Sequence, residues 1–130
     1  MVAKSGQDTL LSGKWKAKYW YPSNQKPGTE EISEYTGEFK KSGKQYVYES
    51  DPQDSGAYMF VRMTVDDDLI TGNWHENTSP TGEFRGAIYS GVFQALFEHS
   101  MQKIKGIWSG IGQDDGVRKI YSGQWMFERA

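Results

Sequence analysis

From residue 14 the chain alternates. Lys14, Lys16 and Lys18 fall on one side and Trp15, Ala17, Tyr19 and Tyr21 on the other, the two-residue period of a strand with one wet and one dry face. The period returns at Ala57, Met59, Val61, Met63 and Val65, interleaved with Tyr58, Phe60, Arg62 and Thr64, which predicts a strand covered on both sides. Turn signals punctuate these runs: Pro22 to Gly28, Ser42-Gly43-Lys44, Asp51 to Gly56, Asp66-Asp67-Asp68, Asn77 to Gly82, and Gln113 to Gly116 with its hairpin-forming Asp-Gly. Strands are therefore expected over Lys14 to Tyr21, Ile32 to Lys41, Lys44 to Ser50, Ala57 to Val65, Leu69 to Glu76, Phe84 to Glu98, Met101 to Ser109 and Val117 to Phe127, about eight in all. Helical turns compete only at Glu30 to Tyr35 and Val92 to His99, and Gly and β-branched neighbours disfavour both.

A short phrase recurs within this pattern: a small or polar residue, Gly, any residue, then a ring. It stands at Ser12 to Trp15, Thr36 to Phe39, Ser55 to Tyr58, Thr71 to Trp74, Thr81 to Phe84, Ser90 to Phe93, Lys105 to Trp108 and Ser122 to Trp125, and holds four of the five tryptophans. A Gly two positions before a ring shares its strand face, so the backbone can bend or approach a neighbour beside a ring that fills a core. Gly86 and Gly91 are candidate bend or bulge points in the long sixth run. Short turns, inward rings and no amphipathic helix predict an all-β fold, a single antiparallel up-and-down barrel. At about eight strands its interior is either filled by side chains or holds one small ligand.

Composition narrows the picture. A chain of 130 residues makes one domain, expected at residues 11–130 behind a flexible, polar lead-in at 1–10. Aromatic residues are 15% of the chain, with nineteen rings against four Leu, so a few large rings fill the space that many aliphatics fill elsewhere. A net charge of -2 argues against duplex nucleic acid, which calls for a basic face. The absence of Cys removes disulfide and thiolate chemistry and fits a reducing compartment, the cytoplasm. No signal-peptide pattern is legible, and no apolar run reaches the length of a membrane span.

Gly13-Lys14-Trp15 resembles the Gly-x-Trp opening of calycin-type barrels, the lipocalins, fatty-acid-binding proteins and avidins. Roughly residues 11 to 127 are similar to a bacterial barrel domain found C-terminal to some helix-turn-helix regulators. The matching words are Tyr21-Pro22-Ser23, Thr71 to Gly82, Gly86 to Gly91, Gly106 to Gly112 and Ser122 to Trp125. The chain departs from that pattern at Ser90, where the family has a His, and in lacking a legible helix-turn-helix before the barrel. The resemblance implies a binding or sensing module. A more distant likeness is to the cyclic-nucleotide-sensing barrels of antiphage effectors; the residues of this chain allow nucleotide binding, since Tyr19, Tyr21, Trp74, Tyr89 and Trp108 offer faces for base stacking and Arg62, Arg85 and Arg118 are candidate partners for phosphate.

The best candidate site joins Tyr19, Tyr21, Trp74 and Trp108 as contact area with Glu76, Arg85 and Tyr89 as polar anchors. Its face depends on parity: Arg85, Tyr89 and Phe93 share one side of the sixth run and Ile88 and Val92 the other, so only one set turns inward. Catalytic and metal chemistry have thin support. His75-Glu76 and Glu98-His99 point to opposite faces of their strands, Asp66-Asp67-Asp68 lacks the later Gly and Glu of a calcium loop, and no nucleophile elbow, phosphate loop or dinucleotide fingerprint is present. The expectation is a non-enzymatic, small-molecule-binding barrel without cofactor or metal, its ligand hydrophobic or a nucleotide, with homo-oligomer formation open to it. The competing expectation is a solid-core adaptor barrel acting through its outer surface.

Overall fold

The computed structural model describes residues 11–22, 28–81, 88–98, 102–114 and 116–130. Eight strands follow one another: β1 (Lys14–Pro22), β2 (Glu30–Ser42), β3 (Gln45–Ser50), β4 (Tyr58–Asp66), β5 (Leu69–Asn77), β6 (Ile88–Phe97), β7 (Lys103–Asp114) and β8 (Val117–Arg129). Each pairs antiparallel with the next, and β8 returns to pair with β1, closing an up-and-down barrel. Closure leaves no sheet edge unpaired. The lead-in at 1–10 lies outside the described residues.

Three expectations are corrected. β4 is fully covered on one side only: Met59, Val61 and Met63 are buried, while the alternate face runs from half-buried Tyr58 and Phe60 to exposed Arg62 and Thr64. β7 does not stop at Ser109 but runs on to Asp114, because its ladder with β8 continues through Ile111↔Ile120 to Asp114↔Val117. The glycine that reads as a strand end, Gly110, is instead a seat for a ring: a Cβ there would lie 2.5 Å from Cζ2 of Trp74. Gly91 is likewise no bulge, since it holds regular partners on both sides, Trp74 and Gly110. The stretches Glu30 to Tyr35 and Val92 to Phe97 are strand, while 82–87, at the expected start of the sixth strand, and His99 lie outside the described residues.

The repeated phrase acquires its physical cause in the register. Gly72-x-Trp74 on β5 faces Phe93-x-Gly91 on β6, so that Gly72 pairs with Phe93 and Trp74 with Gly91. Gly106-x-Trp108 on β7 faces Trp125-x-Gly123 on β8 in the same reciprocal way. Phe93, Trp74 and Trp108 fold down over Gly72, Gly91 and Gly123 opposite, where a side chain would collide with the ring, while a Cβ on Gly106 would meet the Gln94 carbonyl and Ala95. The indole N–H of Trp74 then donates to the Val92 carbonyl at 3.2 Å and that of Trp108 to the Trp20 carbonyl at 2.9 Å, pinning both indoles to the wall.

The inward rings form one continuous core. Tyr19, Trp125 and Phe93 stack across it with interplanar angles of 16° and 11°. One end is capped: the Trp15 indole donates to the Leu11 carbonyl at 3.2 Å, and the Arg129 guanidinium lies 4.5 Å over its ring while donating to the Ser12 carbonyl at 2.7 Å. Phe39 and Phe97 meet Trp15 edge-on beneath this cap.

Candidate functional site

The opposite end of the barrel is lined by tyrosines. Strand alternation turns Tyr19 and Tyr21 of β1, Tyr35 of β2, Tyr89 of β6 and Tyr121 of β8 toward the interior. Among them sits Glu76, carried inward on β5 by the same parity that buries Trp74, and paired in register with Met59 on one side and Tyr89 on the other. It is 4% exposed and is the one charged side chain buried among the described residues.

Two tyrosines clamp this carboxyl. The Tyr19 hydroxyl donates to Oε1, and the Tyr35 hydroxyl donates to Oε2 at 2.5 Å. Burial pushes the Glu76 carboxyl above the ordinary carboxylate range, and the two tyrosine hydrogen bonds pull it part of the way back. Burial, with the neighbouring carboxylate second, raises both phenols well above their ordinary value and keeps them protonated as donors. Glu76 takes part in none of the ion pairs found among the described residues. Those lie on the outer wall: Lys14–Asp51, Lys16–Glu34, Lys18–Glu34, Lys18–Glu128 and Lys105–Glu98. A buried carboxyl without a counter-charge is costly, by several kcal/mol in its ionised form.

Around the clamp, Tyr19 contacts Tyr21, Trp74, Trp108 and Trp125, with ring centroids 5.6, 6.4, 5.9 and 5.5 Å away. Tyr21 and Tyr89 are half-buried at the rim, and the Tyr21 hydroxyl donates to Glu31 at 3.2 Å. The structure thus brings together six of the seven residues singled out in the sequence: Tyr19, Trp74, Glu76 and Trp108 inside, Tyr21 and Tyr89 at the rim. Arg85 lies outside the described residues. Arg62 and Arg118 are exposed, and Arg62 lies over Phe60 on the outer wall.

The sequence reading missed Tyr35, the second arm of the clamp. Its signal was present, because Tyr35 stands two positions before Gly37 and four before Phe39, on the face that the Gly-x-ring phrase turns inward. The parity of β6 resolves in favour of Tyr89: Phe93 is buried, whereas Ile88 and Val92 are 62% and 54% exposed. His75 is exposed on the outer face, opposite to Glu76. Among the described residues no group of three His, Asp or Glu side chains converges as a metal site, and no helix is long and apolar enough to cross a membrane. Compared with models of known protein families and with curated proteins, the chain finds no match.

Proposed function

We propose that this barrel binds a small molecule, without chemistry of its own, at the tyrosine-lined end around Glu76. The buried carboxyl carries the reading. A barrel serving only as a scaffold gains nothing from it, since replacing a buried charge by an apolar side chain of similar volume is commonly neutral or stabilising. Here the carboxyl is retained inside an aromatic core and held by two tyrosines. That is the arrangement of a polar anchor in an otherwise apolar ligand site. Tyr19, Tyr21, Trp74, Tyr89 and Trp108 supply contact area, and Glu76 fixes orientation. The Gly13-x-Trp15 opening and the closed eight-strand barrel support placing the chain with the calycin-like binding barrels, as a sensing module of the cytoplasm.

Tryptophan fluorescence tests this reading, because Trp74, Trp108 and Trp125 lie within the ring cluster that surrounds the clamp. Titration with the small-molecule fraction of a cell extract is expected to give a saturable change in emission, weakened by Trp74→Phe or Trp108→Phe in a protein that remains folded. No change across fractions and a nucleotide panel overturns the reading.

A second reading rests on the outer wall. Ile88, Val92, Ile107, Ile111 and Ile120 stand out from β6 to β8 at 48% to 76% exposure. Such a strip suits a protein partner or a second copy of the chain better than bare solvent. A concentration-dependent mass in light scattering, abolished by Ile107→Ser with Ile120→Ser, supports it; a monomer at all concentrations that captures no partner opposes it.

A further inference from the structure

Resting on the binding reading above, we infer that the ligand carries a protonated nitrogen, an ammonium or amidinium attached to a flat or apolar body, and that this group seats on the Glu76 carboxyl. Three observations converge on that class. First, the buried charge in the interior is negative and has no counter-charge among the ion pairs of the described residues. Second, each carboxylate oxygen accepts one tyrosine hydrogen bond and has the capacity for another, so the clamp orients the group without exhausting it. Third, the surroundings are aromatic side chains, Tyr19, Trp74 and Trp108, of the kind whose π-faces attract a desolvated cation.

One described residue nearer the rim is a second carboxylate. Glu31, on the inward face of β2 two positions before Ser33 and four before Tyr35, is half-buried and accepts from Tyr21. A cation entering from this end passes one carboxylate and reaches a second. A phosphate at the same depth would meet like charge in a poorly screened interior, which disfavours an anionic group lodged against Glu76. The Trp125 indole N–H is also buried without a partner among the described residues, one ring from the clamp through its stack with Tyr19. An acceptor on the body of the ligand would satisfy it.

Among the described residues, the groups on the inward faces around Glu76 and out to the rim are Tyr19 and Tyr21 from β1, Tyr35 and the rim Glu31 from β2, Met59 from β4, Tyr89 from β6 and Tyr121 from β8, with the exposed Lys119 farther out on the same face of β8. Only the ionised carboxyl attracts a cation. Affinity for the cation is therefore expected to fall as the pH is lowered through the raised Glu76 range.

The test is calorimetric titration of the full chain with matched probes of one shape: phenethylammonium, phenethyl alcohol and phenylacetate. The ammonium is expected to bind at least about tenfold tighter than the alcohol, and the carboxylate not at all. Glu76→Gln should reduce ammonium affinity on the order of 30-fold or more while leaving the alcohol unchanged. Tyr35→Phe leaves the carboxyl in place but removes a hydrogen bond that lowers its pKa; it should keep the ammonium preference and lose it at a higher pH than the wild type. Equal binding of the alcohol or carboxylate, or an unchanged Glu76→Gln protein, overturns the assignment of class and leaves the binding reading standing. So does a compound recovered from the native protein that lacks a basic nitrogen. A protein that recovers nothing and binds none of the probes overturns both.

Discussion

The indole of Trp74 lies directly on Gly91, its ladder partner across the β5–β6 pair, so closely that a Cβ on Gly91 would stand 2.8 Å from the indole nitrogen and 1.9 Å from the Ser109 carbonyl oxygen. Ring and glycine are one packing unit. Repeated across the wall, this unit lets a barrel hold several indoles in its lumen without spreading its strands.

Gly91→Ala is therefore expected to destabilise the fold by about 2–3 kcal/mol, since both the ring and the strand backbone must shift. Gly43→Ala is the control. That glycine has a φ of 63° and nothing within 4 Å, so alanine there meets only the left-handed backbone penalty of about 1 kcal/mol. Denaturant unfolding of the two variants measures the difference, and equal losses would show that Gly91 is not a seat for the ring.

Strand parity is tested by a pair three residues apart on β7. Ile104 is 0% exposed and Ile107 63% exposed. Ile104→Ala should cost about 2–4 kcal/mol, and Ile107→Ser should stay within about 0.5 kcal/mol. A reversal of that order in chemical denaturation would place β7 in the opposite register.

The capped end gives a third expectation. Arg129 covers the Trp15 ring and donates to the Ser12 carbonyl, so Arg129→Ala should lower stability by about 1–2 kcal/mol. Arg129→Lys should recover only part of it, because an ammonium cannot both lie flat on the indole and reach the carbonyl. Full recovery by lysine would show that charge alone matters there.

The pH dependence of stability carries a sign. The folded-state pKa of Glu76 is raised, so the folded chain holds a proton that the unfolded chain releases above about 4.5. Stability due to this group is present below that value and is lost as the pH rises through the folded value. Glu128, lowered by its hydrogen bond to Lys18, runs the other way, contributing above its ordinary value and losing it in acid. Comparing Glu76→Gln with the wild type cancels the Glu128 contribution. The stability of the variant relative to the wild type should increase from pH 4 toward neutrality; a decrease over that range contradicts the burial argument.

How far the sequence reaches is clear from particular residues. The eight strands and their inward faces are legible because alternation and the Gly-x-ring phrase agree at Trp15, Phe39, Trp74, Phe93, Trp108 and Trp125. The extent of β7 is not, because Gly110 reads as an interruption until the ring that occupies its missing side chain is known, and that ring comes from Trp74 on β5, two strands away. Glu76 is legible as an inward carboxyl, but its clamp is not. The Tyr19, Tyr35 and Glu76 side chains are separated by many residues and meet only through the β1–β2 ladder and closure of the barrel. Local periodicity assigns a residue to a face; it does not fix which residues of different strands share a level.

The most direct measurement is the mass of the purified, folded protein under non-denaturing conditions, wild type beside Glu76→Gln, with any released compound identified after denaturation. A stoichiometric adduct on the wild type, lost or much reduced in a folded Glu76→Gln protein, is the expected result. A bare mass for the wild type together with silent tryptophan emission would contradict a ligand site at the tyrosine-lined end and favour a barrel that acts through its outer wall.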